Sequence, residues 1–327
     1  MKTVVVEHLT KKFGSFVAVD DISFDIPEGE IFGLLGPNGA GKTTTISMLA
    51  TMLRPDAGTA TIDGHDIIKD EDGVRKSIGI VFQDQSLDEE LTAWENMDFH
   101  GRLYRIPKKV RLERTAELLD LVGLEERKDD IVKTFSGGMR RRLEIARGLL
   151  HRPKVLFLDE PTLGLDPQTR NYLWEYIEKL SREMKITVII TTHYMDEADR
   201  LCGRIAIVDK GRIVALDTPE NLKKRIGGDV ITIKSPDYSE KVADLNESWI
   251  ENIEQYDGFF SVALHDAEEH VSELIELLIK QKVKITSVSV HKPTLEDVFL
   301  YYTGRTIRDE ESGVKERMRM TGKRMRH

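Results

Sequence analysis

The sequence predicts an α/β fold: a mostly parallel sheet covered by helices, broken by a helical insertion and followed by a small α+β unit. Three observations point there. Runs such as "EIFGLLG", "KVLFLDE" and "ITVIITTH" have strand length and little polar alternation, as strands covered on both faces do. Between the last two lies "TRNYLWEYIEKLSREM", a helical segment, and strand–helix–strand alternation builds parallel sheets. From about Asp84 to Arg152 the strand signal stops.

The elements follow in order. "TVVVEHL" and "DISFDI" read as strands before Pro27-Glu28-Gly29-Glu30, a turn signal. "EIFGLLG" runs into "GPNGAGKTTTISMLATML", a glycine turn opening a helix, and "TATIDG" and "SIGIVFQ" add two strands. In the insertion, "TAWENMDFHGRLY" and "VRLERTAELLDLVGL" show helical apolar spacing. "RIAIVDKG" returns to strand. Near Gly227-Gly228 a further unit begins: strand "DVITIKS", helix "YSEKVADLN", strands "WIENIEQY" and "GFFSVALH", helix "AEEHVSELIELLIKQK", strand "KITSVSV". That order, βαββαβ, is the ferredoxin-like pattern, closed here by a short helix "TLEDVFLYYTG". The expected domains are residues 1–83 and 153–226 as core, 84–152 as helical subdomain, 227–304 as C-terminal domain, and 305–327 as a basic, disordered tail.

Composition narrows the function classes. A chain of 327 residues with a net charge of −9 lacks the basic balance of a dedicated nucleic-acid binder. Its single cysteine, Cys202, excludes an internal disulfide framework, fits a reducing cytosol and reads as a small buried residue. "MKTVVVEHLTKKFG" is too polar for a signal peptide, and no apolar run has the length of a membrane span. Any membrane work is expected to go through a partner.

"GPNGAGKT", Gly36 to Thr43, matches the phosphate-loop pattern G-x-x-x-x-G-K-[ST] in its required context between strand and helix. Glycines let successive N–H groups point at phosphate oxygens. Lys42 is expected at the terminal phosphates and the Thr43 hydroxyl at Mg²⁺. "VLFLDE" ends in two carboxylates that cannot point the same way along a strand, so they take different tasks: Asp159 towards Mg²⁺, Glu160 towards the attacking water as general base. "FSGGMRRRLEIARGLL" has a hydroxyl and two glycines opening a helix, a phosphate site without a lysine. Met139, Leu143, Ala146 and Leu150 fall on one packing face of that helix, leaving Arg140 and Arg141 more exposed.

Taken together, these residues resemble the ATP-binding subunit of an ABC transporter, a P-loop NTPase with a RecA-like core. "FSGGMRRRLEIARGLL" is similar to the family's signature, "LDEPTLGLDP" to its Walker B and D-loop, "TTHYMDEAD" to its switch-histidine region and "VFQD" to its Q-loop. They stand in the family order, and the resemblance covers about Thr3 to Leu216. It implies two ATPase domains paired head to tail, as homodimer or heterodimer, each ATP lying between one chain's phosphate loop (Gly36, Pro37, Asn38, Gly39, Ala40, Gly41, Lys42, Thr43, Thr44) and the partner's Ser136, Gly137 and Gly138. Phe13 matches the aromatic that stacks on adenine, with Phe16 near enough to compete. Gln83 matches the glutamine that senses Mg²⁺ and water and faces the permease, His193 the switch histidine, and Asp166 the D-loop aspartate crossing the interface. Met139 departs from the family pattern, where glutamine is common, and hydrolysis is expected to survive that change.

"KPTLEDVFLYYTGR" resembles the C-terminal signature of the drug-resistance type, whose separately encoded permeases export drugs, lipids or glycans. The resemblance implies ATP and Mg²⁺ as cofactors and a location on the inner face of the cell membrane through that permease. A soluble ABC-type ATPase acting on ribosomes or DNA is the alternative; one phosphate loop, one cysteine and no heptad run speak against it. The C-terminal domain is expected to regulate, to help dimerise or only to stabilise. The basic tail is either solvated or in contact with anionic lipid or a permease loop.

Overall fold

β3 (Ile31–Leu35), β6 (Ile78–Val81), β7 (Val155–Asp159), β8 (Thr187–Thr192) and β9 (Arg204–Asp209) run parallel in one sheet, with β10 (Arg212–Asp217) at its edge in the order β10-β9-β3-β8-β7-β6. β3, β7 and β8 are buried at every position, the environment their unbroken apolar sequences demand. This computed structural model describes residues 2–236, 242, 245, 247–256 and 258–305.

A second sheet of the same unit is antiparallel. β1 (Lys2–Phe13) and β2 (Phe16–Pro27) form a hairpin in which Phe13 pairs with Phe16. β4 (Ala57–Ile62) and β5 (His65–Asp66) complete the order β2-β1-β4-β5. "TATIDG" is therefore a strand, as expected, but belongs to this antiparallel sheet rather than to the parallel one.

Helices join the parallel strands. α1 (Lys42–Leu49) follows β3, and the short α2 (Glu71–Ser77) precedes β6. The insertion holds α3 (Ala93–Leu103), α4 (Lys108–Leu121) and α5 (Gly137–Leu149). Thr92 and Glu95 close a capping box on α3, which fixes its start. α6 (Pro167–Met184) starts on the Asp166 cap with Pro167 in its first turn, and α7 (Met195–Leu201) follows β8. α2, α7 and α8 (Pro219–Lys224), six or seven residues each, are too short to show periodicity in the sequence.

The chain divides into compact units at Ile213 and Val214, before the expected boundary at residue 226. α8 explains the difference. It packs against α10 (Leu295–Thr303) within the second unit, where Arg225 donates to the Tyr302 hydroxyl at 3.1 Å.

In that second unit β11 (Asp229–Lys234), β12 (Ile250–Tyr256), β13 (Phe259–Leu264) and β14 (Ser287–His291) form an antiparallel sheet ordered β12-β13-β11-β14. This is the ferredoxin-like topology. α9 (Ala267–Lys280) supplies Leu274 and Leu278 to a core with Ile231, Ile233, Phe260 and Val262. The expected helix "YSEKVADLN" falls largely outside the described residues, as does nearly all of the expected tail.

Candidate functional site

The phosphate loop leaves the C-terminal end of β3, where open α/β sheets place ligands. Its backbone passes very close to its neighbours. A Cβ on Gly36 would stand 2.2 Å from the Val208 carbonyl oxygen, and one on Gly41, at φ +107°, 2.4 Å from that of Ala18. Only glycine fits either place. Gly41 opens α1 with no side-chain cap and no acid in the first turn, so a positive helix end is left for an anion. Lys42 is buried, and its ammonium donates to the carbonyls of Gly36 at 2.7 Å and Pro37 at 3.0 Å. It thus lies folded over the loop.

β7 delivers the carboxylates. Asp159 Oδ1 accepts from the Thr43 hydroxyl at 3.2 Å and from the Thr191 hydroxyl of β8. Thr43 and Asp159, far apart in sequence, thus present neighbouring oxygens. Mg²⁺ prefers one or two protein oxygens completed by phosphate and water. The pair fits that demand, and among the described residues no cluster of three His, Cys, Asp or Glu offers an alternative metal cage.

Glu160, the next residue, has a left-handed backbone, at φ +46°. For a residue with a side chain that conformation costs about 1–3 kcal/mol and must be held by its surroundings. Glu160 N–H donates to the carbonyl of Thr191 at 3.1 Å and to its hydroxyl at 3.0 Å. The carboxylate lies 3.6 Å from Lys42 Nζ and 3.2 Å from His193 Nδ1. Burial pushes the Glu160 carboxyl up, but the His193 ring and the Lys42 ammonium outweigh it and hold the group below its ordinary value. The carboxylate therefore stays ionised near neutrality.

The lysine-free stretch forms α5. Ser136 is its N-cap, accepting from Met139 N–H at 3.3 Å, and Gly137 and Gly138 form the first turn. None of the described hydrogen bonds joins Ser136 to this chain's own Lys42 or Glu160. A cavity of about 360 Å³ opens beside it, lined by Gly138, Met139, Arg142, Thr169 and Tyr172. Leu143, Ala146 and Leu150 are buried as expected, Met139 only partly. Arg141 corrects the sequence reading: it is 7% exposed, not a surface residue. α5 also buries the side that carries Arg141 and Glu144, because that side meets the ends of β6 and β7 and offers the guanidinium carbonyl acceptors there.

The remaining sequence candidates lie further out. Phe13 is 50% exposed at the hairpin end, with Lys11 Nζ 5.7 Å from its ring centre, and Phe16 is more exposed still. Gln83 is exposed, just past β6, and among the described residues no hydrogen bond joins it to Thr43 or Asp159. Asp166 caps α6, accepting from Gln168 N–H at 3.1 Å, Thr169 N–H at 3.0 Å and the Thr169 hydroxyl at 2.6 Å; these bonds, the hydroxyl's first, hold its carboxyl below the usual range. Cys202 is buried, and burial pushes its thiol far up, as an inert core residue requires. Lys42, Thr43, Asp159, Glu160 and His193 thus come together, while no described hydrogen bond or ion pair joins Ser136, Phe13, Gln83 or Asp166 to them. Sequence reasoning missed Thr191 and the Arg141–Glu144 pair. The signal for the pair was an acid three residues after an arginine on the packed side of a helix.

Comparison with known proteins identifies the family. A family model described as "ABC transporter" matches residues 19–163, and one described as "ATP-binding protein DrrA1-3-like, C-terminal domain" matches residues 218–303. The linearmycin resistance ATP-binding protein LnrL of Bacillus subtilis (strain 168) is 40% identical over 314 residues, covering 93% of this chain and 99% of its own. The daunorubicin/doxorubicin resistance ATP-binding protein DrrA of Streptomyces peucetius is 40% identical over 318 residues, covering 95% and 96%. Among solved structures, cbiO1 from Clostridium perfringens, part of the ABC transporter complex cbiONQ, matches with a TM-score of 0.64 at 31% identity, over 69% of this chain and 93% of its own. An ATP-binding cassette solved as a dimer in a post-hydrolysis state with ADP and Pi matches with a TM-score of 0.59 at 29% identity, over 66% and 98%.

Proposed function

The chain belongs to the ATP-binding proteins of ABC transporters, in their drug-resistance and export group, and from that premise we propose how its residues divide the work of ATP hydrolysis. Lys42 exchanges the carbonyls of Gly36 and Pro37 for the terminal phosphates, whose oxygens meet the N–H groups of residues 36–44. Adenine stacks on Phe13. Thr43 and Asp159 would hold Mg²⁺, with Gln83 approaching from the end of β6, and the ion would neutralise phosphate charge. Glu160 takes a proton from the water that attacks the γ-phosphorus as the bond to the ADP oxygen breaks. His193 orders that water and contacts the γ-phosphate. The observation that carries this reading is the cluster of the buried Lys42 and Glu160 with the half-buried His193, at separations of 3.6 and 3.2 Å.

Ser136, Gly137 and Gly138 serve the nucleotide of a partner ATPase, this chain or a related one, across an interface that Asp166 also enters. Support comes from the α5 N-terminus itself: it has the donors for a phosphate and no lysine. ATP bridging both chains favours the closed dimer, and hydrolysis reopens it. A separate membrane permease is driven by that cycle, exporting a drug-, lipid- or glycan-like substrate, with this subunit at the inner membrane face. No described helix is long and apolar enough to cross a membrane. The C-terminal domain regulates or stabilises the dimer.

Glu160→Gln should bind Mg·ATP, hydrolyse it at least about 100-fold more slowly and run as a dimer on size exclusion in ATP alone. A monomeric Glu160→Gln chain cycling at the parent rate would remove both the base and the sandwich.

A further inference from the structure

Arg141 is a buried guanidinium that nucleotide chemistry does not need, and every one of its N–H donors is used. Nε donates to the Pro161 carbonyl at 3.0 Å. Nη2 donates to the carbonyls of Asp159 at 2.8 Å and Glu160 at 3.3 Å. Nη1 donates to the Phe82 carbonyl and, at 3.0 Å, to Glu144 Oε2. Three of these acceptors are successive carbonyls around the left-handed residue that carries the base. The fourth is the carbonyl immediately before Gln83.

Glu144 extends the grip. Its Oε1 accepts from Ser86 N–H at 2.7 Å, and Arg147 donates to the Ser86 carbonyl at 2.7 Å. Arg141, Glu144 and Arg147 stand three residues apart on α5, so the helix opened by Ser136 clamps both Phe82–Ser86 and Asp159–Pro161.

We propose that Arg141, oriented by Glu144, is a positioning residue for hydrolysis: it fixes the Glu160 main chain and the start of the Gln83 loop to the helix whose N-terminus receives the partner's γ-phosphate. A partner nucleotide docking on Ser136 and this chain's own base are thereby held in one register. Lysine has the charge but three donors and no planar fork, so it cannot hold five acceptors in these directions. The inference rests on the sandwich reading above, and the two fail separately.

The test compares parent, Arg141→Lys and the paired Arg141→Met/Glu144→Met in the full chain. ATP turnover, KM and thermal midpoint are measured, with size exclusion of each change in a Glu160→Gln background. Arg141→Lys should lower kcat about 10- to 100-fold, with KM for ATP changed less than about threefold, because a misplaced base loses transition-state stabilisation and not ground-state binding. The Met/Met pair removes both buried charges and should return the thermal midpoint towards parent while kcat stays low, which a merely structural role would not give. ATP-dependent dimers should persist in both. Either folded variant turning over within threefold of parent overturns the inference and leaves the sandwich intact. Failure of Glu160→Gln alone to dimerise counts against the sandwich instead.

Discussion

Two helix N-termini in this chain carry glycine in or beside the first turn and no acid within it, and they are finished differently. α1 begins on Gly41 with no side-chain cap, beside the buried Lys42, the Thr43–Asp159 oxygen pair and the Glu160 carboxylate. α5 begins on Ser136, which caps its own helix, and behind it lie arginines bound to this chain's main chain rather than free for a ligand. On the proposed division of work, the first is a nucleotide site and the second the lid for a partner's site. That contrast is what two identical surfaces need in order to complete each other, since a two-fold pairing presents each patch to the other's complement.

The sharpest way to break the comparison is to damage each end alone. Lys42→Ala should lower ATP affinity about 100-fold or more, read by equilibrium binding of a fluorescent ATP analogue, because a buried charge-assisted contact to the phosphates is lost. Ser136→Arg should abolish turnover to a similar extent while leaving that affinity within about twofold, since the residue serves the other chain's nucleotide. Mixing the two inactive chains should then restore roughly a quarter of parent ATPase, because half of random dimers are mixed and each holds one complete site of two.

A smaller effect tests how closely the loop is packed. Gly36→Ala drives a methyl to 2.2 Å from the Val208 carbonyl oxygen, and should destabilise by about 1–3 kcal/mol, a fall of several degrees in thermal midpoint. The open glycine of the signature, Gly137, meets nothing closer than 3.7 Å, so Gly137→Ala should leave the midpoint within about a degree and act on turnover alone.

The smallest expected effect lies away from both ends. Burial pushes the His100 imidazole of α3 down from 6.5 to about 4, with the Arg147 and His151 charges adding to it. The unfolded chain therefore binds a proton that the folded chain refuses. Stability contributed by the neutral ring is present above pH about 6.5 and lost progressively as pH falls towards 4. Denaturant unfolding at pH 7 and pH 5 should show that loss, and His100→Phe should reduce it, the His151 ring, also pushed down by burial, supplying the remainder.

How much of this could be read from the sequence differs between the two ends. The phosphate loop and the Asp159–Glu160 pair were legible because their chemistry is local: the loop's glycines are adjacent, and the acids end one apolar strand. α3 and α9 were legible because their apolar stripes are long. The signature helix was legible as a helix opened by a hydroxyl and two glycines, but its packing was not. Arg141 looked like a surface residue because periodicity counts charge as outward, whereas five carbonyl and carboxylate acceptors brought by Phe82, Glu144 and residues 159–161 take it inward. Those acceptors are mostly main-chain atoms, and residue types do not advertise them. Thr191 escaped notice for a related reason: its hydroxyl and carbonyl matter only because β8 lies beside β7. The left-handed turn at Glu160 is likewise a product of tertiary contacts, since glutamate itself does not favour it.

The account stands or falls on whether Ser136 acts across the interface. The direct measurement is light scattering with nucleotide counting on Glu160→Gln and on Glu160→Gln/Ser136→Arg, each in saturating Mg·ATP. Glu160→Gln should have the mass of a dimer with one ATP per chain, and the double variant the mass of a monomer still carrying its own ATP. A double variant that remains an ATP-dependent dimer, or that loses its own ATP as a monomer, would contradict the claim that this helix end is lent to a partner.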